Sequence, residues 1–193
     1  GPQSTQAKIE DADSIDHYVQ GEGELLFSQL LESIENNESQ MPRVLVHDKS
    51  IRIDLDSLPI PDYRDFNIDL YTFKGVASEL SRGCIAKCQF CSETTFWRYR
   101  GRLAEAVLDE VEYNYKTFGI RSVWFIDSLV NGNLKELLAF AQGLLDRKIK
   151  IHWAGFARND GRMDLSYIKT LVDSGCTNLL IGVESGSQKV LDL

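Results

Sequence analysis

The chain has 193 residues, a formal net charge of −8 and a hydrophobic content of 43%. This length and composition are typical of a globular protein that buries a hydrophobic core. No apolar run approaches the roughly 20 residues that a membrane-spanning helix requires, and no secretory signal opens the chain. Nucleic-acid binding depends on lysine and arginine at phosphates, so the acidic balance argues against it. We therefore expect a cytoplasmic protein that acts without nucleic acid or membrane.

The first part of the chain predicts short elements joined by turns. Its apolar spacing and turn residues predict, in chain order, a short strand at 15–19, a helix up to Ile34, and extended pieces at 43–46 and 50–55. The helix follows the sequence Gly-Glu-Gly-Glu at 21–24. Proline disfavours helix in the residue before it, so residues 58–62, which contain two prolines, are predicted to form a linker.

From about residue 76 onward, strand-like and helix-like segments alternate. The predicted strands are 77–82, 122–127, 151–158 and 178–184, and the predicted helices are 103–118, 134–145 and 164–174. Asp164 is predicted to cap the last of these helices. This alternation predicts an α/β fold, a partial TIM-like barrel of about four parallel strands with outer helices.

Charged residues end three of the predicted strands: Asp127, Arg158 and Glu184. In α/β barrels the active site lies at the carboxyl ends of the strands and in the loops that follow them. These three side chains are therefore the first candidates for chemistry.

Three of the four cysteines, Cys84, Cys88 and Cys91, lie within one loop at the spacing C-x3-C-x2-C. Such clustering in an intracellular chain points to metal binding or catalysis rather than to disulfides. A structural zinc or a ferredoxin-type cluster normally takes four protein ligands. The sequence places no fourth ligand near the loop; the candidates would be Cys176, His17, His47 and His152. Three thiolates would leave one iron of a cluster open to a small molecule.

The segment Cys84-Ile85-Ala86-Lys87-Cys88-Gln89-Phe90-Cys91 resembles the signature of the radical S-adenosylmethionine (radical SAM) superfamily. The resemblance implies that the three thiolates bind three irons of a [4Fe–4S] cluster and that S-adenosylmethionine chelates the fourth. It also implies reductive cleavage of S-adenosylmethionine to methionine and a 5′-deoxyadenosyl radical, which abstracts hydrogen from a substrate. A reductant such as flavodoxin or ferredoxin is implied as a partner, and the substrate stays open.

The same resemblance implies supporting roles for five residues. Phe90 is expected beside the adenine, and Glu184 and Ser185 are expected at the ribose hydroxyls and the methionine moiety. Arg158 is a candidate for the methionine carboxylate through a two-pronged hydrogen bond, or for a salt bridge with Asp127 or Glu184. Asp127 is expected to receive the ammonium group or to orient the arginine.

Two further sets of residues are expected to be structural. Arg98, Arg100 and Arg102 follow the cysteines and are read as exposed charge before a helix, with a phosphate or carboxylate of the substrate as the alternative. Cys176 is expected to pack as a small apolar residue.

The upstream sequence, with its Gly-Glu-Gly-Glu at 21–24, resembles the connector of cobalamin-dependent radical SAM proteins. That resemblance implies that residues 1–75 are a connector and the tail of an absent cobalamin-binding domain, and that residues 76–193 begin a barrel whose last strands are absent. The cobalamin-binding motif D-x-H-x-x-G does not occur in this chain. We expect a fragment that is inactive alone and that self-associates through the open barrel edge.

Two other interpretations stay open at this point. One is a non-catalytic iron–sulfur or zinc-binding module. The other is a methylthiotransferase-like radical SAM enzyme, which would need further cysteines upstream, and residues 1–76 contain none.

Overall fold

The computed structural model describes residues 15–37, 41–48, 50–72, 74–93 and 97–192. The chain divides into two compact units, Gly1–Ile53 and Asp54–Leu193, and each is described by itself. The domain boundary expected between residues 75 and 76 lies inside the second unit, and the division of the parent protein into domains stays a prediction. None of the helices in the described ranges has the length and hydropathy needed to cross a bilayer.

The first unit contains two parallel strands and a helix. Strand β1 (Tyr18–Gln20) pairs in parallel with β2 (Val44–Val46), and helix α1 (Glu24–Glu35) connects them along the chain. Gly21 turns the chain after β1 at a φ of +92°, and a Cβ there would lie 2.9 Å from the Cβ of His47. Glycine is therefore required at this turn.

These elements confirm the predicted helix and the strand-like segments at 15–19 and 43–46. The segment 50–55, predicted to be extended, forms no strand in the described part of the chain, although the Asp54 backbone is extended. The chain enters a 3-10 turn at Leu55–Ser57, and the Asp54 carboxylate accepts the Asp56 amide hydrogen at 3.1 Å.

Within the described residues, four parallel strands form the sheet of the second unit, in the order β3 (Gly75–Ser78), β6 (Ser122–Phe125), β7 (His152–Ala157) and β8 (Cys176–Ile181). The helices of this unit are α2 (Ala104–Thr117), α3 (Leu134–Asp146), α4 (Leu165–Asp173) and a short α5 (Gln188–Leu191). Strand order follows chain order, with a helix between successive strands, which is the arrangement of a partial TIM-like barrel. The predicted fold class is confirmed.

The first predicted strand, 77–82, is in fact two strands. Strand β3 ends at Ser78, whose carbonyl oxygen accepts a hydrogen bond from the Ile126 amide at 3.0 Å. The chain then leaves the sheet, and β4 (Ser81–Arg82) pairs in antiparallel orientation with β5 (Arg100–Gly101). The prediction of one strand was wrong because a side chain distant in sequence, Asp127, accepts the Leu80 amide hydrogen at 3.0 Å.

The hydrophobic core lies between the sheet and its covering helices. At its centre Phe125, Phe140 and Trp153 pack edge to face, with ring centroids 5.3 to 5.9 Å apart. Because strand side chains alternate between faces, Trp124 points to the opposite face, where it meets Phe156 at 5.8 Å and both rings remain partly exposed.

We predict that Phe140→Ala lowers the free energy of unfolding by about 3 to 5 kcal/mol, because it empties the centre of the core. Phe140 is 0% exposed, whereas Leu165 at the start of α4 is 90% exposed. The control Leu165→Ala is expected to change stability by less than about 0.5 kcal/mol. Urea unfolding followed by circular dichroism measures both values, and equal losses in the two variants would contradict the placement of Phe140.

Candidate functional site

The three clustered cysteines lie between β4 and β5, and we call the described residues there, 83–93 and 97–99, the cysteine loop. Its two ends meet in the short β4–β5 ladder, which we call the neck, where Ser81 lies opposite Gly101 and Arg82 opposite Arg100. Gly83 opens the loop at a φ of +82°, and a Cβ there would lie 3.0 Å from the Arg98 carbonyl carbon. The two ends of the loop therefore approach more closely than a larger residue would allow.

All three thiols of the cysteine loop are free. Cys88 and Cys91 are exposed and Cys84 is half-buried. The Ala86 amide donates to Cys84 Sγ at 3.4 Å, and the Cys91 amide donates to the Cys88 carbonyl oxygen at 3.1 Å. Three thiols free of disulfides, two of them open to solvent, are donors of the kind that bind the irons of an iron–sulfur cluster.

Across the ranges that the structure describes, no three His, Cys, Asp or Glu side chains are grouped as a metal site. The thiols are therefore not gathered around a common point in this structure.

Asp127 lies directly behind the neck and is 2% exposed. One carboxylate oxygen accepts the Leu80 amide hydrogen at 3.0 Å, and the other accepts the Ser81 hydroxyl at 2.7 Å. Burial raises the pKa of Asp127 to about 6, an effect that these hydrogen bonds only partly offset. Both oxygens are thus engaged in positioning the neck, and the expected contact with an ammonium group stays a prediction.

Arg102, at the end of the neck, is buried and paired rather than exposed. It donates to Glu110 in α2 at 2.7 Å and to Asp56 at 3.3 Å. The interpretation of this arginine as exposed charge before a helix was wrong, because two carboxylates from different parts of the chain compensate its burial. Neither partner is identifiable from local sequence.

Two further contacts attach the cysteine loop to its surroundings. The Tyr99 ring packs on Gly132, where a Cβ would lie 2.5 Å from a ring carbon, and burial raises the pKa of this tyrosine. Near the other side of the loop, the Ser128 hydroxyl donates to Glu93 at 2.5 Å. Glu93 follows Cys91 by two residues, so this contact connects the cysteine-bearing segment to the turn after β6.

Arg158 follows β7, and its backbone is fixed by a residue that the sequence did not indicate. The buried Asn131 amide donates to the Arg158 carbonyl oxygen at 2.8 Å and accepts from the Arg158 amide at 3.0 Å. The Arg158 side chain is exposed, and no ion pair among the described residues joins it to Asp127 or Glu184. The two hydrogen bonds from Asn131 therefore hold the backbone to which the Arg158 guanidinium is attached.

Glu184 follows β8 in a backbone conformation that is uncommon for a residue other than glycine. Its φ is +61°, in the left-handed region. The carboxylate folds back over Gly182, so that a Cβ at Gly182 would lie 2.3 Å from Glu184 Oε1. Ser185 completes the turn, since its amide donates to the Val183 carbonyl oxygen at 2.7 Å. Strained conformations of this kind cluster at functional sites.

The parallel sheet brings the candidates to one edge. Asp127, Arg158 and Glu184 each follow the carboxyl end of a strand, as the sequence predicted, and the neck follows β3 at the same edge. Phe90, in the cysteine loop, is 72% exposed and available for contact.

Cys176 lies apart from the other cysteines, at the amino end of β8, where it packs against the core as predicted. Burial raises the pKa of its thiol to about 11, so it is protonated at neutral pH.

Comparison with known proteins agrees with this geometry. Residues 78–193, more than half of the chain, match the family model of the Radical SAM superfamily. The chain therefore belongs to the radical SAM superfamily, as its cysteine motif predicted.

The relatives with similar sequences are longer proteins. An uncharacterised methyltransferase of Pyrococcus horikoshii is 28% identical over 92% of this chain and 42% of its own length. The anaerobic magnesium-protoporphyrin IX monomethyl ester cyclase of Cereibacter sphaeroides is 27% identical over 96% of this chain and 34% of its own. The cytidylyl-2-hydroxyethylphosphonate methyltransferase of Streptomyces wedmorensis is 28% identical over 72% of this chain and 28% of its own. This chain thus spans less than half the length of each.

Two solved structures share the fold. The cobalamin-dependent S-adenosylmethionine radical enzyme OxsB matches 89% of this chain and 28% of its own, with a TM-score of 0.62 and 22% identity. The radical S-adenosylmethionine methyltransferase TsrM from Kitasatospora setae matches 61% of this chain and 23% of its own, with a TM-score of 0.56 and 19% identity. At these identities the likeness shows the fold alone.

The buried carboxyl of Asp127 predicts a pH-dependent contribution to stability. Because its pKa in the folded chain is raised from 3.8 to about 6, the folded state binds this proton more tightly than the unfolded state does. The resulting stabilisation is complete below the ordinary carboxyl pKa and is lost as the pH rises through about 6.

We therefore compare the unfolding free energy of the native chain with that of Asp127→Asn. As the pH rises from below 3.8 to above about 6, we expect the native value to fall relative to the variant value by roughly 3 kcal/mol. Urea unfolding of both cluster-free chains at a series of pH values measures the difference. A difference that does not change with pH would contradict the burial of an ionisable group at this position.

Proposed function

We propose that Cys84, Cys88 and Cys91 bind a [4Fe–4S] cluster and leave one iron open to S-adenosylmethionine. The observation that carries this proposal is the location of three free thiols, at the spacing C-x3-C-x2-C, on a loop at the carboxyl edge of a parallel α/β sheet. Membership of the radical SAM superfamily supports it. When bound, the cluster would supply the electron that cleaves S-adenosylmethionine to methionine and a 5′-deoxyadenosyl radical.

The chain's own residues would bind and orient S-adenosylmethionine. The exposed Phe90 ring offers an apolar face for the adenine. The Glu184 carboxylate accepts hydrogen bonds from hydroxyl or ammonium groups. The hydroxyl of the next residue, Ser185, accepts the Ser187 amide hydrogen at 3.0 Å and keeps its own hydrogen to donate. Arg158 offers a planar donor pair to the methionine carboxylate. Asp127 would act mainly through the neck, because its oxygens are already engaged by Leu80 and Ser81.

For the parent protein we propose a cobalamin-dependent methyl transfer or a related radical reaction, in the cytoplasm, with flavodoxin or ferredoxin as reductant. Two of the relatives are named methyltransferases, and both similar structures are radical S-adenosylmethionine enzymes. The cobalamin-binding motif D-x-H-x-x-G does not occur in this chain. The cobalamin part of the proposal therefore concerns the longer parent protein.

Anaerobic reconstitution with iron and sulfide tests cluster binding. We expect about four irons and four sulfides per chain, and we expect Cys84→Ala, Cys88→Ala and Cys91→Ala each to lose most of them, because each thiolate binds one iron. Cys176→Ala is the matched control and is expected to keep the cluster, since that thiol is buried in the core. Zinc without sulfide in the isolated chain, or equal loss in the control, would contradict the proposal.

The role of Glu184 is tested by the affinity for S-adenosylmethionine. We expect Glu184→Gln to weaken binding to the reconstituted chain by roughly tenfold to a hundredfold, because hydrogen bonds to a charged group are worth about 1.5 to 3 kcal/mol. Asp173→Asn, at the last residue of helix α4, removes the same charge away from the site and is expected to leave affinity unchanged. Equal affinity in both variants would rule out a direct contact of Glu184.

A further inference from the structure

Arg102 is a buried cation that takes no part in the proposed binding of cluster or S-adenosylmethionine. Its side chain is 8% exposed. The guanidinium Nη1 donates to Glu110 at 2.7 Å and to the Glu79 carbonyl oxygen at 3.2 Å, while Nε donates to Asp56 at 3.3 Å. The backbone amide of Arg102 also donates to the Leu80 carbonyl oxygen at 2.8 Å.

The carboxylates around Arg102 are themselves fixed. The second oxygen of Glu110 accepts the Ser78 hydroxyl at 2.7 Å, at the point where β3 ends. The second oxygen of Asp56 accepts the Leu103 amide hydrogen at 3.0 Å, just before α2 begins. Arg102 thus joins the segment before the sheet, the end of β3 and helix α2 through groups that are all hydrogen-bonded.

A buried ion pair is a weak source of stability, because well-packed apolar residues of similar volume often stabilise a fold equally well. The best-supported role of a buried ion pair is to fix the register in which two structural elements pair. The element that requires a fixed register here is the neck, whose ladder is only two residues long on each side. So short a ladder has no alternating pattern to specify its own pairing.

We infer that Arg102 is a positioning residue of the cysteine loop. By holding the Glu79 carbonyl oxygen through its side chain, beside the backbone bond from its amide to Leu80, it sets the pairing of β4 with β5. Through that pairing it sets the position of Cys84, two residues beyond β4. A slip of one residue in the neck would turn the strand side chains to the opposite face and displace Cys84, which follows β4 by two residues. The inference rests on the proposed cluster binding and deepens it, because it names the residue that arranges the loop before iron is bound.

The test compares two neck variants with a matched control. Arg102→Lys keeps the charge but loses the planar fork that reaches three acceptors. The double variant Arg102→Met with Glu110→Gln removes both charges of the more deeply buried pair, while Asp56, whose side chain is 23% exposed, keeps the Leu103 amide hydrogen bond and its contact with solvent. The control, Arg147→Met, removes a guanidinium from three carboxylates of helix α2, Glu105, Asp109 and Glu112.

Two readouts separate positioning from general stability. In the cluster-free chain, we expect hydrogen exchange at the Leu80 and Arg102 amides to be about tenfold faster in both neck variants, with β6 and β7 unchanged. In the reconstituted chain, we expect both to lose iron to a chelator about tenfold faster than the native chain, with a broadened spin-resonance signal of the reduced cluster. Arg147→Met is expected to match the native chain in both measurements.

Native-like exchange and iron retention in both neck variants would overturn the inference. Unfolding of both neck variants would also overturn the inference, since Arg102 would then stabilise the whole fold rather than position the cysteine loop. If Arg102→Lys alone fails to fold, the double variant decides. If the native chain binds no cluster, the proposed function fails. Amide exchange in the cluster-free chain then still decides whether Arg102 fixes the pairing of β4 with β5 in the neck.

Discussion

Two buried carboxylates, Asp127 and Glu110, fasten the neck of the cysteine loop to the parallel sheet. A buried carboxylate is costly unless its oxygens are hydrogen-bonded. Each of these two therefore takes two partners, and those partners include the Leu80 amide, the Ser81 hydroxyl and the Arg102 guanidinium. The three cysteines themselves are exposed or half-buried and have little packing of their own. The position of the loop consequently depends on its neck, and any metal site that the cysteines build depends on it too.

The fold determines what faces that loop. The helix side of the sheet is closed by Phe125, Phe140 and Trp153, whereas the other face leaves the Trp124 and Phe156 rings partly exposed. Parallel strands place their carboxyl ends at one edge, so that Arg158 and the strained Glu184 follow strands at the same edge as the cysteine loop. A rigid sheet with side chains on its terminal turns is a suitable frame for binding a small cofactor in one orientation.

The sequence was most informative where a pattern is local. Helical spacing predicted α2, α3 and α4 to within a few residues, Asp164 was identified as a cap, and the cysteine spacing led to the superfamily. The sequence was uninformative where the conformation or burial of a residue depends on a hydrogen-bond partner from another part of the chain. The break after Ser78 depends on Asp127, and the burial of Arg102 depends on Asp56 and Glu110, which lie 46 and 8 residues away.

Two features of the site had no sequence signal of any kind. The sequence around Asn131 reads as an ordinary turn, yet its amide holds the backbone of Arg158 in both directions. The left-handed conformation of Glu184 is set by the hydrogen bonds of its own turn and by the space over Gly182, a tertiary fact rather than a propensity. Self-association through exposed residues of β8 stays a prediction, as do the substrate and the reductant.

The central claim is that three cysteine thiolates hold a [4Fe–4S] cluster whose fourth iron is open. The most direct measurement is the Mössbauer spectrum of the reconstituted chain, with iron-57, before and after addition of S-adenosylmethionine. We expect one iron in four to change its isomer shift when S-adenosylmethionine is added, while the other three keep theirs. Four irons that stay equivalent and unchanged would contradict it, because every iron would then already have a protein ligand.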